Sequence, residues 1–243
     1  MSQLPLTGAG PSAAGYIAKV KSYNPIAYWP LNETTGSTAV CQVNTAQNGT
    51  YTGVTLGQTV TDASGVSFIC PLFDGANDFA NIYTTTFRDA FDGAEGTAMI
   101  WARVYNVGVW TDGNNHVMGT LRVDANNQIF LKKDNTNNRK ELVYEAGNVT
   151  ETGVETGLAI IDWMQLFLTW SATTDEVKQY RDGSQVGITL TVLGAWAGQL
   201  VNTNTIIGSF DTGPTNPWYG WLAHCAVWDT ILTQPQIADL AVA

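Results

Sequence analysis

A chain of 243 residues is long for one average domain but within the reach of a single β-sandwich. Its 44% hydrophobic and 11% aromatic residues supply a core without disulfides. Charged residues make up only 13%, so Asn, Thr and Gly must carry the polar surface, and a net charge of −10 with scattered basic residues excludes the basic stripe that nucleic acid or an anionic membrane would require.

Residues 1–15 (MSQLPLTGAGPSAAG) read as an extended arm of small residues with two prolines and no periodicity. They lack the basic start and apolar run of a secretory signal, and nowhere does the chain approach the roughly 20 apolar residues of a membrane span. Tyr16–Tyr23 is expected to form one or two helical turns with Tyr16, Ile17 and Val20 inward, and Asn24-Pro25 marks a break. From Ile26 onward, short apolar runs alternate with Gly, Asn, Asp and Thr clusters at about ten-residue intervals, the spacing of an all-β sandwich. Strands are expected at 27–31, 67–73, 79–83, 98–105, 116–123, 128–132, 141–144, 163–171, 177–181, 184–189, 205–207 and 219–228. Asp182-Gly183 suits a two-residue hairpin turn. No internal repeat is evident, so the chain divides into an arm (1–15) and one domain (16–243).

The last strand is the most informative. Strict alternation puts Trp218, Gly220, Leu222, His224, Ala226 and Trp228 on one face and Tyr219, Trp221, Ala223, Cys225 and Val227 on the other. Both faces are largely apolar, which argues for a strand held between two layers. A short helix follows: Thr233 can cap, Gln236 completes a capping box, Pro235 sits in the first turn, and Ile237 and Leu240 share a face.

Six segments in order resemble the laminin-G-like, concanavalin A-like jelly-roll family: YWPLNETTG (Tyr28–Gly36), the Asn48–Tyr51 turn, FDGANDFANI (Phe73–Ile82), TAMIWARV (Thr97–Val104), DWMQLFLTW with VKQYRDGSQVG, and the closing segment from Trp218 to Leu240. The resemblance covers roughly residues 16–243. It implies an all-β, antiparallel two-sheet jelly-roll sandwich with a short N-terminal arm and helix and a short C-terminal helix. Domains of this kind occur in phage-encoded proteins. With no secretory signal and no catalytic pair, the expected role is a non-enzymatic exterior component, decoration or tail-associated, of a phage or viral particle. Its partners would then be other virion, capsid or tail subunits, or further copies of the chain in a homo-oligomer. A carbohydrate-binding module that reads a cell-surface glycan is the alternative, and a glycoside hydrolase a third reading.

Glycosidic cleavage needs two carboxylates at a set separation, and Glu141/Glu145 and Glu151/Glu155 are not spaced to share one strand-lined cleft. His116 and His224 stand far apart and form no metal-histidine cluster, and His224 and Cys225, adjacent on a strand, point to opposite faces. Cys41, Cys70 and Cys225 give no disulfide framework; free thiols are expected, with a Cys41–Cys70 bridge as the alternative. Calcium is the cofactor that stays open, since related jelly rolls bind it through loop oxygens. Candidate donors are Glu33, Asp74, Asp78 and Asp211, against the alternative that Asp74 and Asp78 only bond their own turn. The stronger ligand candidates are loop aromatics with polar neighbours: Trp110, Asp112, Asn114 and Asn115; Trp196; and Asp211, Trp218 and Tyr219. A sugar stacks its C–H face on an aromatic ring and pairs its hydroxyls with Asp and Asn. Alternatively, each Trp covers an end of the sandwich or meets a neighbouring subunit.

Overall fold

The computed structural model describes residues 13–241. Two antiparallel sheets pack face to face. The first runs in the order β14 (Ser184–Leu190), β13 (Glu176–Arg181), β12 (Met164–Ser171), β7 (Glu95–Val104), β16 (Tyr219–Trp228), β5 (Ser67–Asp74), β4 (Thr55–Thr61), with β1 (Ala27–Trp29) also pairing with β16. The second runs β11 (Val149–Glu155), β10 (Lys140–Ala146), β9 (Asn127–Lys133), β8 (His116–Asp124), β15 (Thr205–Ile207), β6 (Phe79–Asn81), β3 (Gly49–Thr52), β2 (Thr38–Ala39). The expected all-β jelly-roll sandwich is therefore the architecture observed, and every expected strand is present.

Some elements were not expected. The segment read as a turn at Asn48–Tyr51 carries β3, and β2, β4 and β11 complete the sheets. A short helix, α2 (Thr85–Ala90), starts where Thr84 Oγ1 accepts the Phe87 N–H at 3.0 Å. The first helix, α1 (Ala13–Ser22), begins inside the stretch assigned to the arm. Residues 13–15 thus belong to the helix, and the rest of that arm lies outside the described residues. Between β13 and β14, Asp182 (φ 49°) and Gly183 (φ 80°) make the expected two-residue turn with both central residues left-handed.

There are two cores. The inner one, between the sheets, holds Trp29, Phe73, Trp110, Trp170, Trp218, Leu222, Cys225 and Val227. The outer one lies between the first sheet and the helices, with Tyr16 and Val20 of α1 and Ile237 and Leu240 of α3 (Gln234–Leu240) packed on Trp101, Phe167 and Trp228. The Tyr16 hydroxyl ties these layers together. It donates to Leu240 O and accepts from Trp101 Nε1 and Gln165 Nε2, all at 2.9 Å. The capping box forms as read, with Gln236 Oε1 accepting the Thr233 N–H at 2.7 Å.

As expected, β16 is held between two layers, but its alternation breaks. A bulge lies between Ala223 and Ala226, where His224 adopts φ 50° and donates its N–H to Pro30 O at 3.1 Å. Beyond it the faces exchange: Cys225 and Val227 point into the inner core, Ala226 and Trp228 into the outer one. The face assignment from strict alternation therefore holds through Ala223 and is reversed from His224 onward, whose ring lies against Tyr16, Phe68 and Trp101 of the outer core.

All three cysteines are free and buried. Cys41 belongs to the inner core and Cys70 to the outer, on opposite faces of the first sheet, so the alternative Cys41–Cys70 bridge is not formed. Ion pairs close one side of the sandwich: Lys140, fully buried, reaches Glu155 at 3.2 Å, and Arg181 pairs with the same carboxylate from the other sheet. No helix among the described residues is long and apolar enough to cross a membrane.

Candidate functional site

Most of the loop residues expected to bind a ligand hold the fold instead. Trp110 sits in a 3-10 turn (Val107–Thr111) with 0% of its surface exposed, and its Nε1 donates to Ile160 O at 2.7 Å. Trp218 is also fully buried. Neither offers a ring to a sugar; both cover an end of the sandwich. Trp196 is half-buried against Phe91 (5.8 Å) and Tyr144 (6.1 Å), directly over the backbone of Gly93, where a Cβ would come within 2.1 Å of the indole. Its neighbour Ala197 donates to Asn127 Oδ1 at the β8–β9 turn, the opposite end of β8 from Asp112–His116. The sandwich thus separates Trp196 from the other candidates.

Asp112, Asn114 and Asn115 form a clasp. Asp112 Oδ1 accepts from Lys133 Nζ at 2.6 Å and Oδ2 contacts His116 Nε2 at 2.7 Å, while His116 Nδ1 lies 2.6 Å from Pro217 O. Lys133, fully buried, also donates to Asn114 O at 2.9 Å, and Asn115 Oδ1 accepts from the Asn135 N–H at 2.9 Å. Burial alone would raise the Asp112 pKa. The hydrogen bonds from Lys133, the Asn114 N–H and His116 outweigh it and bring the carboxyl down to about 2. This polar knot pins the 106–116 loop to β9 and to the end of the 208–218 loop. In that second loop Asp211 is spent on a turn, accepting from the N–H groups of Gly213 (3.0 Å) and Thr215 (3.1 Å).

The calcium candidates are likewise dispersed. Glu33 accepts from Val40 N at 2.8 Å and from the Tyr51 hydroxyl at 2.7 Å. Asp78 Oδ2 accepts the Asp74 N–H, and Asp74 Oδ1 the Ala76 N–H, both at 2.8 Å. These are the self-contained turn bonds of the alternative reading. Gly53 (φ 77°) is required beside them, because a Cβ there would lie 2.2 Å from Asp78 Oδ1. Among the described residues no three acidic, His or Cys side chains stand together as a metal site. Three of the four carboxylates weighed for catalysis are also engaged: Glu141 with Lys132 and Arg139, Glu145 with Gln128 at 2.6 Å, and Glu155 with Lys140 and Arg181.

One predicted aromatic stays at the surface as part of a larger arrangement. Tyr219 stacks on Tyr105 (centroids 4.7 Å apart, 10° between planes), and Tyr105 stacks on Trp221 (5.5 Å, 21°). Arg103 lies over the Trp221 ring at 5.8 Å, held by Thr61 O at 2.8 Å and by Asp162 at 3.8 Å. Tyr219 and Trp221 are two residues apart on β16 and so share a face. Tyr105 follows β7, and its N–H donates to Tyr219 O at 3.1 Å. Tyr105 is 44% exposed, and the exposed Asp74 pairs in register with Tyr219. Gly75 (φ 78°) lets the 74–78 corner pass under the ring, where a Cβ would come 2.9 Å from that of Tyr219. The result is a ladder of three rings in which Tyr105 is exposed, Tyr219 and Trp221 are half-buried and the Trp221 indole N–H is buried, with Asp74 in register beside Tyr219 and Arg103 over the indole. Sequence reading singled out Tyr219 alone. The alternation that groups it with Trp221 was visible, but the pairing that brings in Tyr105 from more than a hundred residues away was not.

No protein-family model matches the chain, and no curated protein matches it in sequence. Solved structures do share its fold. Domain 4 of AbnA, an extracellular arabinanase from Geobacillus stearothermophilus, solved in complex with arabinotriose, superposes with a TM-score of 0.61 at 17% identity over 89% of this chain and 98% of that one. The binding domain of botulinum neurotoxin serotype D gives 0.63 at 12% identity, covering 89% of this chain and 51% of that one. Botulinum neurotoxin type C, which depends on interaction with two ganglioside molecules to enter cells, gives 0.62 at 12% identity, covering 93% and 52%. The chain thus spans about half the length of the neurotoxin domains it resembles. At these identities the likeness establishes the β-sandwich fold.

Proposed function

We propose that the protein is a non-catalytic carbohydrate-binding module of laminin-G-like type, and that it reads a glycan along the ladder Tyr219–Tyr105–Trp221. The ladder carries this reading. The exposed part of Tyr105, with the half-buried Tyr219 and Trp221 beside it, gives a sugar's C–H groups an apolar strip, the phenol hydroxyls pair with its hydroxyls, and Asp74 and Arg103 fix orientation. Support also comes from the fold, which is shared with a domain solved with arabinotriose and with a toxin that depends on gangliosides. The absence of a paired acid and base in the ladder favours recognition over cleavage. The virion-exterior role expected from the sequence draws on no feature of this surface, whereas the glycan reading does.

The test is a glycan array followed by titration of the best ligand. Tyr105→Ala removes the middle rung and its hydroxyl and is expected to weaken binding by about 1 kcal/mol, the scale of a lost hydrogen bond. Because Tyr105 is 44% exposed and belongs to neither core, the melting temperature should hold within a few degrees. Unchanged affinity in that variant, or no glycan bound by the parent protein, would overturn the reading.

A further inference from the structure

The outer face of the first sheet carries a second concavity, of about 320 Å³, on the far side of the helices from the ladder. Its floor is Tyr180 and Thr169. Gln185 of β14 and the Lys178–Glu176 pair rise on one side, Ile231 and Gln234 on the other. In the sheet, Thr169 pairs with Thr97 of β7, whereas the ladder begins beyond Val104 of the same strand. Seven residues along the strands and three strands across put the two sites roughly 25 Å apart.

We infer that this crevice binds one neutral sugar residue, which rests on the carbohydrate reading above and gives the module a second, separate contact. The argument is chemical. The volume lies at the lower end of the roughly 300–1,000 Å³ range of small-molecule sites. Among the described residues the crevice's only charges, Lys178 and Glu176, neutralise one another at 2.6 Å, so it favours neither anion nor cation. What remains is the Gln185 amide on one wall, the Gln234 side-chain carbonyl on the other, whose amide nitrogen is held by Gly183 O, and the apolar flank of Ile231, which is 37% exposed. Alternating donors, acceptors and one apolar surface match a ring that alternates hydroxyls and C–H groups. Gln185 is exposed and makes only a 3.4 Å contact to Thr189, so its amide is available.

The walls are also fixed in advance, which lowers the entropic cost of binding. Gln234 Nε2 donates to Gly183 O, tying the start of α3 to the β13–β14 turn. Gly183 is pressed so closely on α3 that a Cβ would lie 3.1 Å from Ala238 Cα. Behind Ile231, the Leu232 N–H donates to Thr97 Oγ1 at 2.9 Å, and that hydroxyl donates to Thr230 O at 2.8 Å.

The experiment is amide NMR on the full chain, titrated separately with methyl glucoside, methyl galactoside, methyl mannoside and methyl arabinofuranoside. The side-chain amide signals of Gln185 and Gln234 should shift and saturate with at least one of them. Gln185→Ala should weaken that binding about tenfold, the loss expected when a polar partner is removed from a hydrogen-bonded ligand. No saturable shift at these residues, or equal affinity in the Gln185→Ala protein, overturns the inference. The Tyr105→Ala protein, titrated in parallel, separates the two sites. Crevice shifts that persist in it support an independent site even if the ladder binds nothing; crevice shifts that vanish with Tyr105 overturn that independence while leaving the ladder reading in place.

Discussion

Replacing Trp110 with alanine separates a structural indole from a ligand-binding one. The sequence context, GVWTDGNN, suits an exposed loop aromatic, and an exposed ring could be removed at little cost to folding. The observed ring is fully buried in the inner core, and its N–H satisfies the Ile160 carbonyl at 2.7 Å. Truncating a buried Trp to Ala typically costs about 3–5 kcal/mol, through lost transfer energy and the cavity left behind. The Ile160 carbonyl would lose its donor as well. In a domain of this size each kcal/mol shifts the melting temperature by about 2–4 °C, so Trp110→Ala should melt roughly 10 °C or more below the parent. Calorimetry at one protein concentration measures the shift. A glycan titration at a temperature where the variant remains folded measures binding, which should be unchanged. A melting temperature within about 2 °C of the parent, together with lost glycan affinity, would refute the assignment of Trp110 to the core.

Two further outcomes follow from buried titratable groups. His224 is fully enclosed, with its Nδ1 2.7 Å from the Tyr28 hydroxyl, and burial lowers its pKa from 6.5 to about 3. Below pH 6.5 the unfolded chain takes up a proton that the folded one refuses, so stability falls progressively from pH 6.5 toward 3, by an amount approaching ~5 kcal/mol at the lower limit. His224→Asn, which keeps a residue tolerant of the left-handed conformation, should flatten this slope in denaturant melts between pH 6.5 and 4; an identical slope in the variant would contradict it. At the clasp, Asp112→Asn would leave the fully buried Lys133 without a carboxylate and should cost ~3–5 kcal/mol in chemical denaturation; a loss below about 1 kcal/mol would show that the knot is not what holds the 106–116 loop.

What the sequence disclosed and what it hid divide along a physical line. Local signals were legible: the periodicity of the strands, the Asp182-Gly183 turn, and the Thr233–Gln236 box each depend on residues close in the chain. The helix α2 was not read, because a six-residue element leaves little periodicity to see and its Thr84 cap is a single residue. The site was harder to read, because a Trp beside Gly and Asn looks the same whether its ring points out or folds back. What decides is the partner, and for Trp110 the partner is a carbonyl 50 residues away. Similarly, Asp112 is the residue type of a ligand site, yet Lys133 and His116 claim its carboxylate.

The bulge at His224 shows how one backbone deviation redistributes function along a strand. Had β16 kept strict alternation, Trp228 would share the inner face with Trp218, and Val227 would turn toward the helices. The single left-handed residue at His224 instead sends Trp218 inward and Trp228 outward, one large indole to each core. Because the exchange occurs only after Ala223, Tyr219 and Trp221 remain on the outer face at the uncovered end of the strand, beside Tyr105. Beyond the bulge, that same outer face lies under α1 and α3, where Trp228 Nε1 donates to Tyr23 O at 3.0 Å. One strand thereby supplies two half-buried rungs of the ladder and, a few residues later, the floor beneath two helices, and the register change at His224 lets the apolar residues of both segments be buried without a break in the sheet.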